Sequence, residues 1–433
     1  MTALELLQEL VRIDTTNPPG NETEAAELLE ADLRSAGLEV ELFSDPEGRT
    51  SLVGRVPGPR DLPALVLLSH LDVVGVEPER WSHDPFGAEV ADGFVWGRGT
   101  LDMKGITALH AAAAKELSAS NASPGRELFV VAVADEEAGG IHGARWLLEE
   151  HPGEVGFRDG LAPDVLGEGA FGLSGVLDGA VMPIARGEKS ALWIELKATG
   201  EPGHGGLPPL DQAPHKLVKA VDKVAGYRPP RVHPIMSEQF RILAENAPSP
   251  TAQLFKVLAS GAGRAVVLAL SKPLRRRGVI AALLSDTVTP TEISAGYKHN
   301  VVPGEAVASL DVRLLPDTDV DDFLSTLRKK VDHLGVTVEV KARHGGPVSD
   351  QGRLYDLLMD ASSPLGLPVP SLTAGITDVR YFRAKGATGY GWVPLVLSPE
   401  LLATIHGDDE RVAIEDFNRA VEITNSVVMR HCT

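Results

Sequence analysis

In the stretch Leu65-Val66-Leu67-Leu68-Ser69-His70-Leu71-Asp72, the five residues Leu65–Ser69 are almost wholly apolar. That is the pattern of a strand buried on both faces. The run ends in His70 and Asp72, and residues two apart in extended chain point the same way. An imidazole and a carboxylate therefore leave the end of a buried strand side by side. In open α/β sheets, ligands bind beyond the carboxyl ends of the strands. Alone, the pair also fits a histidine that hydrogen-bonds a nearby aspartate at a strand end.

Outward from this stretch, strands and helices alternate. Leu4, Leu7, Leu10 and Val11 have helical spacing, and Asp14–Gly20 breaks it. A second helix is expected from Thr23 to Gly37, with strands near Glu39–Phe43 and Ser51–Val56. Trp81–Gly99 is expected to be a structured loop or hairpin, followed by an alanine-rich helix over Gly105–Leu117. Glu127–Ala134 is a second continuous apolar strand, and it runs into Asp135-Glu136-Glu137-Ala138-Gly139-Gly140. His142–Glu150 has a helical pattern, and Asp164–Gly169 is expected to be a third short strand that ends in the acid Glu168. This alternation predicts an α/β fold, a mostly parallel sheet flanked by helices.

Near Gly187 the pattern changes. Ala191–Thr199, Glu292–Ala295 and Ala306–Leu314 alternate like half-exposed strands, with helices expected at Pro214–Tyr227 and Val320–Leu334 and a last strand at Val336–Lys341. That order is a ferredoxin-like α+β unit. The expected organisation is a catalytic domain in two parts, 1–186 and 344–433, with an inserted lid or dimerisation domain at 187–343. Within the insertion Arg275, Arg276 and Arg277 are expected to form a solvated patch. The returning chain is expected to give helix Tyr355–Ala361, a Thr373–Asp378 loop, strand Tyr390–Val393 and a last helix Ile414–Arg430.

At 433 residues the chain is too long for one ordinary core. Its net charge of −19, from 41 basic and 60 acidic residues, argues against a nucleic-acid partner. Cys432 is the only cysteine, which excludes an intrachain disulfide and a thiolate metal site. The start Met1-Thr2-Ala3-Leu4-Glu5 has acid where a signal peptide has base, and no apolar run approaches the roughly 20 residues that span a bilayer. The expectation is a soluble cytoplasmic protein with no membrane partner.

Four acid- or histidine-bearing sites follow apolar strands or glycine-rich turns: His70/Asp72, Asp102, Glu136/Glu137 and Glu168. A fifth is His406, in Ile405-His406-Gly407-Asp408-Asp409-Glu410. Singly, each has an ordinary reading: Asp102 as a helix cap, the glutamates as surface acids, His406 as a loop histidine. Together they would place carboxylates at one sheet edge, where burial without partners costs several kcal/mol apiece. Cations between them remove that cost. Two histidines and three or four carboxylates suit zinc, or two divalent metals that share one carboxylate. The lack of thiol ligands points to a catalytic rather than a structural site.

Several motifs, in order along nearly the whole chain, resemble the co-catalytic zinc peptidases and amidohydrolases. That family includes aminoacylase, carnosine dipeptidase, succinyl-diaminopimelate desuccinylase, acetylornithine deacetylase and glutamate carboxypeptidase. The motifs are Ser69-His70-Leu71-Asp72-Val73-Val74, Trp81 with Asp84-Pro85-Phe86, and Gly97-Arg98-Gly99-Thr100-Leu101-Asp102-Met103-Lys104-Gly105. Asp135-Glu136-Glu137, Gly203-His204-Gly205-Gly206, Asn300-Val301-Val302-Pro303-Gly304 and His406-Gly407 complete the series.

The resemblance implies two divalent cations per chain, zinc first and cobalt or manganese as alternatives. It gives one to His70, Asp102 and Glu168, and the other to Glu137, His406 and the shared Asp102. It makes Asp72 the orienting partner of His70, Glu136 the general base and His204 the oxyanion donor. Asn300, Arg313 and Thr377 become substrate contacts, and the Asp102–Met103 peptide is expected to be cis. Gly-His-Gly-Gly replaces the commoner Gly-His-Ser-Ser, so hydroxyl contacts at Gly205 and Gly206 are not expected.

An extra stretch at roughly Val232–Ser285 is closer to the aminoacylase and carboxypeptidase S-like branches, which ranks N-acyl amino acids first as substrates. Dipeptidase or carboxypeptidase action on short peptides is the near alternative. Desuccinylase or deacetylase action on a biosynthetic intermediate is a further one. A homodimer through the inserted domain is expected. A silent binding protein fits poorly, because no ligand and no base is missing. A nucleotide site at Gly97-Arg98-Gly99 lacks its third glycine and has Asp102 where phosphate would approach.

Overall fold

A computed structural model describes residues 1–120, 123–158, 160–260 and 282–433. The chain divides into two compact units. The first comprises Met1–Gly187, Pro347–Thr373 and Thr377–Thr433; the second comprises Glu188–Gly346 and Ala374–Ile376. Among the described residues, no helix is long and apolar enough to cross a membrane.

The first unit is built on an eight-stranded sheet. Across it, the strands run Glu39–Ser44, Thr50–Val56, Leu128–Val133, Leu65–His70, Asp164–Leu173, Thr388–Leu397, Val181–Glu188 and Leu367–Thr373. The four central strands, Leu128–Val133 to Thr388–Leu397, are parallel, and antiparallel pairs flank them. Every residue of Leu65–His70 and of Leu128–Val133 is buried. Leu65 and Leu67 join one core with Leu128, Val130 and Ala132, while Val66 and Leu68 join a second core with Phe129, Val131 and Val133. The first core lies under helices Ala3–Arg12, Glu22–Ser35, Lys104–Ala119 and Ile414–Cys432, and the second lies under Trp146–Glu150 and Val379–Ala384. Continuous apolarity is the requirement of a strand with a core on each side.

Four local features differ from expectation. The second helix begins at Glu22 after Asn21, because the Thr23 hydroxyl is engaged with Thr50 Oγ1 at 2.9 Å rather than capping. The Asp164 strand does not stop at Glu168 but runs to Leu173. Strands Val181–Glu188 and Leu367–Thr373 lack a clear sequence signal: Pro183, Pro368 and Pro370 interrupt them, and the latter is an edge strand, where proline is tolerated. His142–Glu150 is a wide turn, Ile141–Arg145, that leads into the helix Trp146–Glu150.

The second unit has a five-stranded antiparallel sheet in the order Gly226–Tyr227, Thr287–Ala295, Glu305–Leu314, Ser190–Thr199 and Val336–His344. Leu192, Ile194, Leu196 and Ala198 pack against Leu217, Ala220 and Val224 of helix Ala213–Val224, and against Leu324, Leu327 and Val331 of helix Val320–Val331. Helices Pro234–Asn246 and Thr251–Ala259 meet through Phe240 and Phe255, stacked at 6.1 Å. Arg275, Arg276 and Arg277 lie outside the described residues.

At Gly391 the Thr388–Leu397 strand passes so close to Asp164–Leu173 that a Cβ there would collide with the Glu168 carbonyl. Gly391→Ala should therefore destabilise the protein by about 1–3 kcal/mol in urea unfolding. A loss below about 0.5 kcal/mol would show that the two strands can part without cost.

Candidate metal centre

His70, Asp102, Glu136, Glu137 and Glu168 come from different elements of the first unit. His70 ends a central strand, and Asp102 precedes helix Lys104–Ala119. Glu136 and Glu137 open a short turn directly after strand Leu128–Val133, and Glu168 lies on Asp164–Leu173, the parallel strand on the other side of Leu65–His70. His406 is on the loop before Arg411–Ala413. The Asp102–Met103 peptide is cis.

The side chains converge as two groups, each able to hold a cation: His70, Asp102 and Glu168, and Asp102, Glu137 and His406. Asp102 belongs to both. Its Oδ1 is 3.2 Å from His70 Nε2, and its Oδ2 is 3.1 Å from His406 Nε2. Glu168 Oε1 is 3.8 Å from His70 Nε2, and Glu137 Oε1 is 3.3 Å from His406 Nε2.

Two observations test whether a cation fits. His70 Nδ1 lies 2.9 Å from the Asp72 main-chain carbonyl, an acceptor, so that nitrogen is the donor. Nε2 then faces carboxylate oxygens, and either a proton or a metal ion must sit between them. Second, Glu136 Oε1 and Glu137 Oε1 are buried and make no hydrogen bond. Neutral histidine nitrogens and carboxylate oxygens are the ligands that zinc and similar divalent ions take.

The electrostatics agree. Burial, then Glu168, pushes the Glu136 pKa well above the usual carboxylate range, and burial, then Asp102, does the same to Glu168. Burial opposes charge on His70, but hydrogen bonds to Asp102 and Asp72 raise it well above the ordinary imidazole value. His406 is pushed up to about 10 by Asp102 and Glu137. Such a cluster favours added positive charge.

Asp72 is fully buried beneath the site. Its Oδ1 accepts from the Glu136 N–H at 3.1 Å, and its Oδ2 accepts from the Glu137 N–H at 3.1 Å and from Asn17 Nδ2 at 2.8 Å. Arg380 lies behind the same turn. It donates to the Gly139 carbonyl at 2.7 Å, with Nη1 3.9 Å from Glu136 Oε1 and 3.7 Å from Asp378 Oδ1. Thr377 is buried and close behind Gly169, the residue after Glu168.

The remaining expected residues belong to the second unit. His204 is exposed on a two-stranded ribbon, Gly203–His204 with Val301–Val302, and its Nδ1 accepts from the Gly206 N–H at 3.0 Å. Asn300 is beside it and accepts the Gly205 N–H through its main-chain carbonyl at 2.9 Å. Arg313 is elsewhere on the sheet, and Asp311 holds its guanidinium through two hydrogen bonds of 2.8 and 3.1 Å. Sequence reasoning missed Asn17, Arg380 and Glu410. Asn17 was visible only as a turn residue before proline, Glu410 as the last acid of the quoted His406 stretch, and Arg380 as an ordinary charge.

Residues 66–430 match the model of peptidase family M20/M25/M40. Mouse (Mus musculus) aminoacylase-1 is 28% identical over 430 residues, which are 97% of this chain and 93% of that protein. The mouse N-fatty-acyl-amino acid synthase/hydrolase PM20D1 is 27% identical, over 82% of this chain and 72% of that protein. The M20 metallo-carboxypeptidase Sso-CP2 of Sulfolobus solfataricus superposes with a TM-score of 0.74 at 20% identity, covering 98% of each chain. The Bacillus subtilis YXEP protein, a dinuclear metal binding peptidase, superposes with a TM-score of 0.61 at 14% identity, covering 99% of this chain and 97% of that one.

Asp72→Asn keeps the side-chain size but turns one oxygen into a donor that faces backbone N–H groups. It should lower cation affinity by about 10- to 100-fold with secondary structure intact. Unchanged chelator competition would remove Asp72 from the support of the site.

Proposed function

The chain belongs to peptidase family M20/M25/M40 and is a hydrolase of amide bonds, and from that premise we propose that it releases amino acids from N-acyl amino acids with two divalent cations, zinc in the first place. His70, Asp102 and Glu168 would hold one, and Asp102, Glu137 and His406 the other. The observation that supports this reading most is Asp102, which turns one oxygen toward each histidine. The substrate class rests on the likeness to aminoacylase-1, which extends over 97% of the chain.

When bound, the cations would lower the pKa of water toward neutrality and polarise the scissile carbonyl. Glu136 is the general base of this reading. Its Oε1 is buried and makes no hydrogen bond, so it is free to take a proton from the attacking water and deliver it to the leaving nitrogen. Asp72 and Arg380 keep the turn that presents Glu136 in place. His204 is assigned as the donor to the carbonyl oxygen as negative charge develops there. Its Nδ1 already accepts a hydrogen bond, so the neutral ring has its proton on Nε2, ready to donate.

Arg313 is assigned to the substrate carboxylate. Asp311 occupies the same guanidinium fork, and an arriving carboxylate would compete with it for bidentate pairing. The second unit also exposes Leu207, Leu210, Ile293 and Tyr297, apolar surface that supports association of two chains through this unit.

Metal analysis with a substrate panel tests the reading. About two zinc ions per chain are expected, with turnover of N-acetyl-Met or N-lauroyl-Phe ahead of Ala-Ala, carnosine and N-succinyl-diaminopimelate. Turnover of dipeptides alone would keep the mechanism and move the substrate. Glu136→Gln should retain both metals and lose nearly all turnover, on the order of 10²–10⁴-fold; an active variant would need another base. Arg313→Ala should raise KM far more for acyl amino acids than for their amides, and equal effects on both would remove Arg313 from carboxylate recognition.

A further inference from the structure

Arg98 and Glu410 form an ion pair, 2.6 Å between Nη1 and Oε2, and both side chains are fully or almost fully buried. They are 312 residues apart in the chain. The other hydrogen bonds of the pair go to main chain rather than to other side chains, and Arg98 Nε, also buried, makes none. Glu410 Oε1 accepts from the Leu101 N–H at 2.7 Å and the Asp102 N–H at 3.1 Å. Arg98 Nη2 donates to the Gly407 carbonyl at 2.8 Å. One member therefore grips the backbone at Asp102, and the other grips the backbone next to His406.

The surroundings keep the pair rigid. The Arg98 guanidinium lies over the Trp81 ring, 5.2 Å from its centroid. The Gly97 N–H donates to the Glu410 carbonyl at 2.9 Å, where Phe94–Trp96 pairs with Arg411–Ala413. Ser82 holds the Asp409 carboxylate through its N–H and its hydroxyl, at 2.7 and 2.9 Å. His406 and Asp409 have φ of 57° and 58°, left-handed values that are uncommon for residues with side chains. A buried ion pair adds little net stability compared with apolar residues of the same size, so stability alone is a poor account of this one.

We propose that Arg98 and Glu410 are positioning residues that set the separation of Asp102 from His406, and thereby the affinity for the cation that Asp102, Glu137 and His406 would share. This rests on the two-cation reading above. Asp102 Oδ2 and His406 Nε2 are 3.1 Å apart on two loops that meet through this pair. Lysine at position 98 would keep a charge toward Glu410, but a single ammonium lacks the planar fork that also reaches the Gly407 carbonyl.

The test is chelator competition for Co²⁺ on the folded full-length chain, read by stoichiometry and by the cobalt absorption bands. Wild type should bind two equivalents. Arg98→Lys and Arg98→Met, with native circular dichroism, should hold one equivalent at wild-type affinity and the second at least about tenfold more weakly, with altered bands for the weakened ion. If Arg98→Met does not fold, Arg98→Lys decides the matter. Two equivalents at wild-type affinity in a folded Arg98 variant would overturn the positioning role and leave the two-cation reading standing. A wild type that binds no cation would overturn that reading, and this inference with it.

Discussion

Everything at the carboxyl edge of the large sheet depends on one buried carboxylate, that of Asp72. It lies past the end of strand Leu65–His70, yet it accepts the N–H groups of Glu136 and Glu137, which follow the adjacent parallel strand. A carboxylate that accepts several N–H bonds keeps its charge even when buried, and Asp72 has a lowered pKa: burial opposes the charge, and His70, Asn17 and the turn amides outweigh it. The turn it anchors is otherwise unfavourable. Asp135 has φ of 70°, and Gly139 and Gly140 also have positive φ. Asp135 is fastened in turn by Arg49, by Asn17 and by the His142 N–H. The result is that neighbouring residues serve different purposes: Glu137 faces His406 while Glu136 lies beside Arg380.

The second constraint is the charge that this edge accumulates. Asp102, Glu137, Glu168, Glu136 and Asp378 are concentrated in a small volume, and burial pushes Asp378 up to about 7. The protein offsets part of this with Arg380 beside Glu136 and Asp378, while the Arg98–Glu410 pair adds no net charge. What remains is negative and faces two imidazoles. That balance is the electrostatic reason that the site suits cations better than a neutral ligand.

Much of this was legible in the sequence because it depends on local pattern. A strand with a core on each face needs unbroken apolarity, and Leu65–Ser69 and Leu128–Val133 have it. The polar residues that follow such strands stand out for the same reason. The strand expected to end in Glu168 continues to Leu173, and Gly167 and Gly169 on either side of the acid are glycines within it, pressed against Val379 and Thr373. Arg98 and Glu410 lay inside motifs that had been singled out, and their pairing stayed hidden because no local rule joins residues 312 positions apart. The partner of Arg313 was more accessible: Asp311 is two residues away on a strand and so shares its face.

Precision at this edge comes from backbone in direct contact with backbone as much as from side-chain bonds. A Cβ on Gly143 would meet the Ala134 carbonyl, one on Gly105 the Thr100 carbonyl, and one on Gly140 the Asp378 carboxylate. Each contact is close to a residue of the site: Ala134 leads into the Glu136 turn, Thr100 leads into Asp102, and Asp378 faces Arg380. Of these glycines only Gly140 has a positive φ, and at Gly105 the constraint is space rather than conformation. Removing a side chain lets the chain segments that bear Asp102 and Glu136 sit closer to their supports than any residue with a Cβ allows. A shift of a few tenths of an ångström in such a support moves a charged oxygen relative to its neighbours, and in a buried site the energy of those contacts changes steeply with distance. The glycines that line the site are therefore as much a part of its electrostatics as the carboxylates they position.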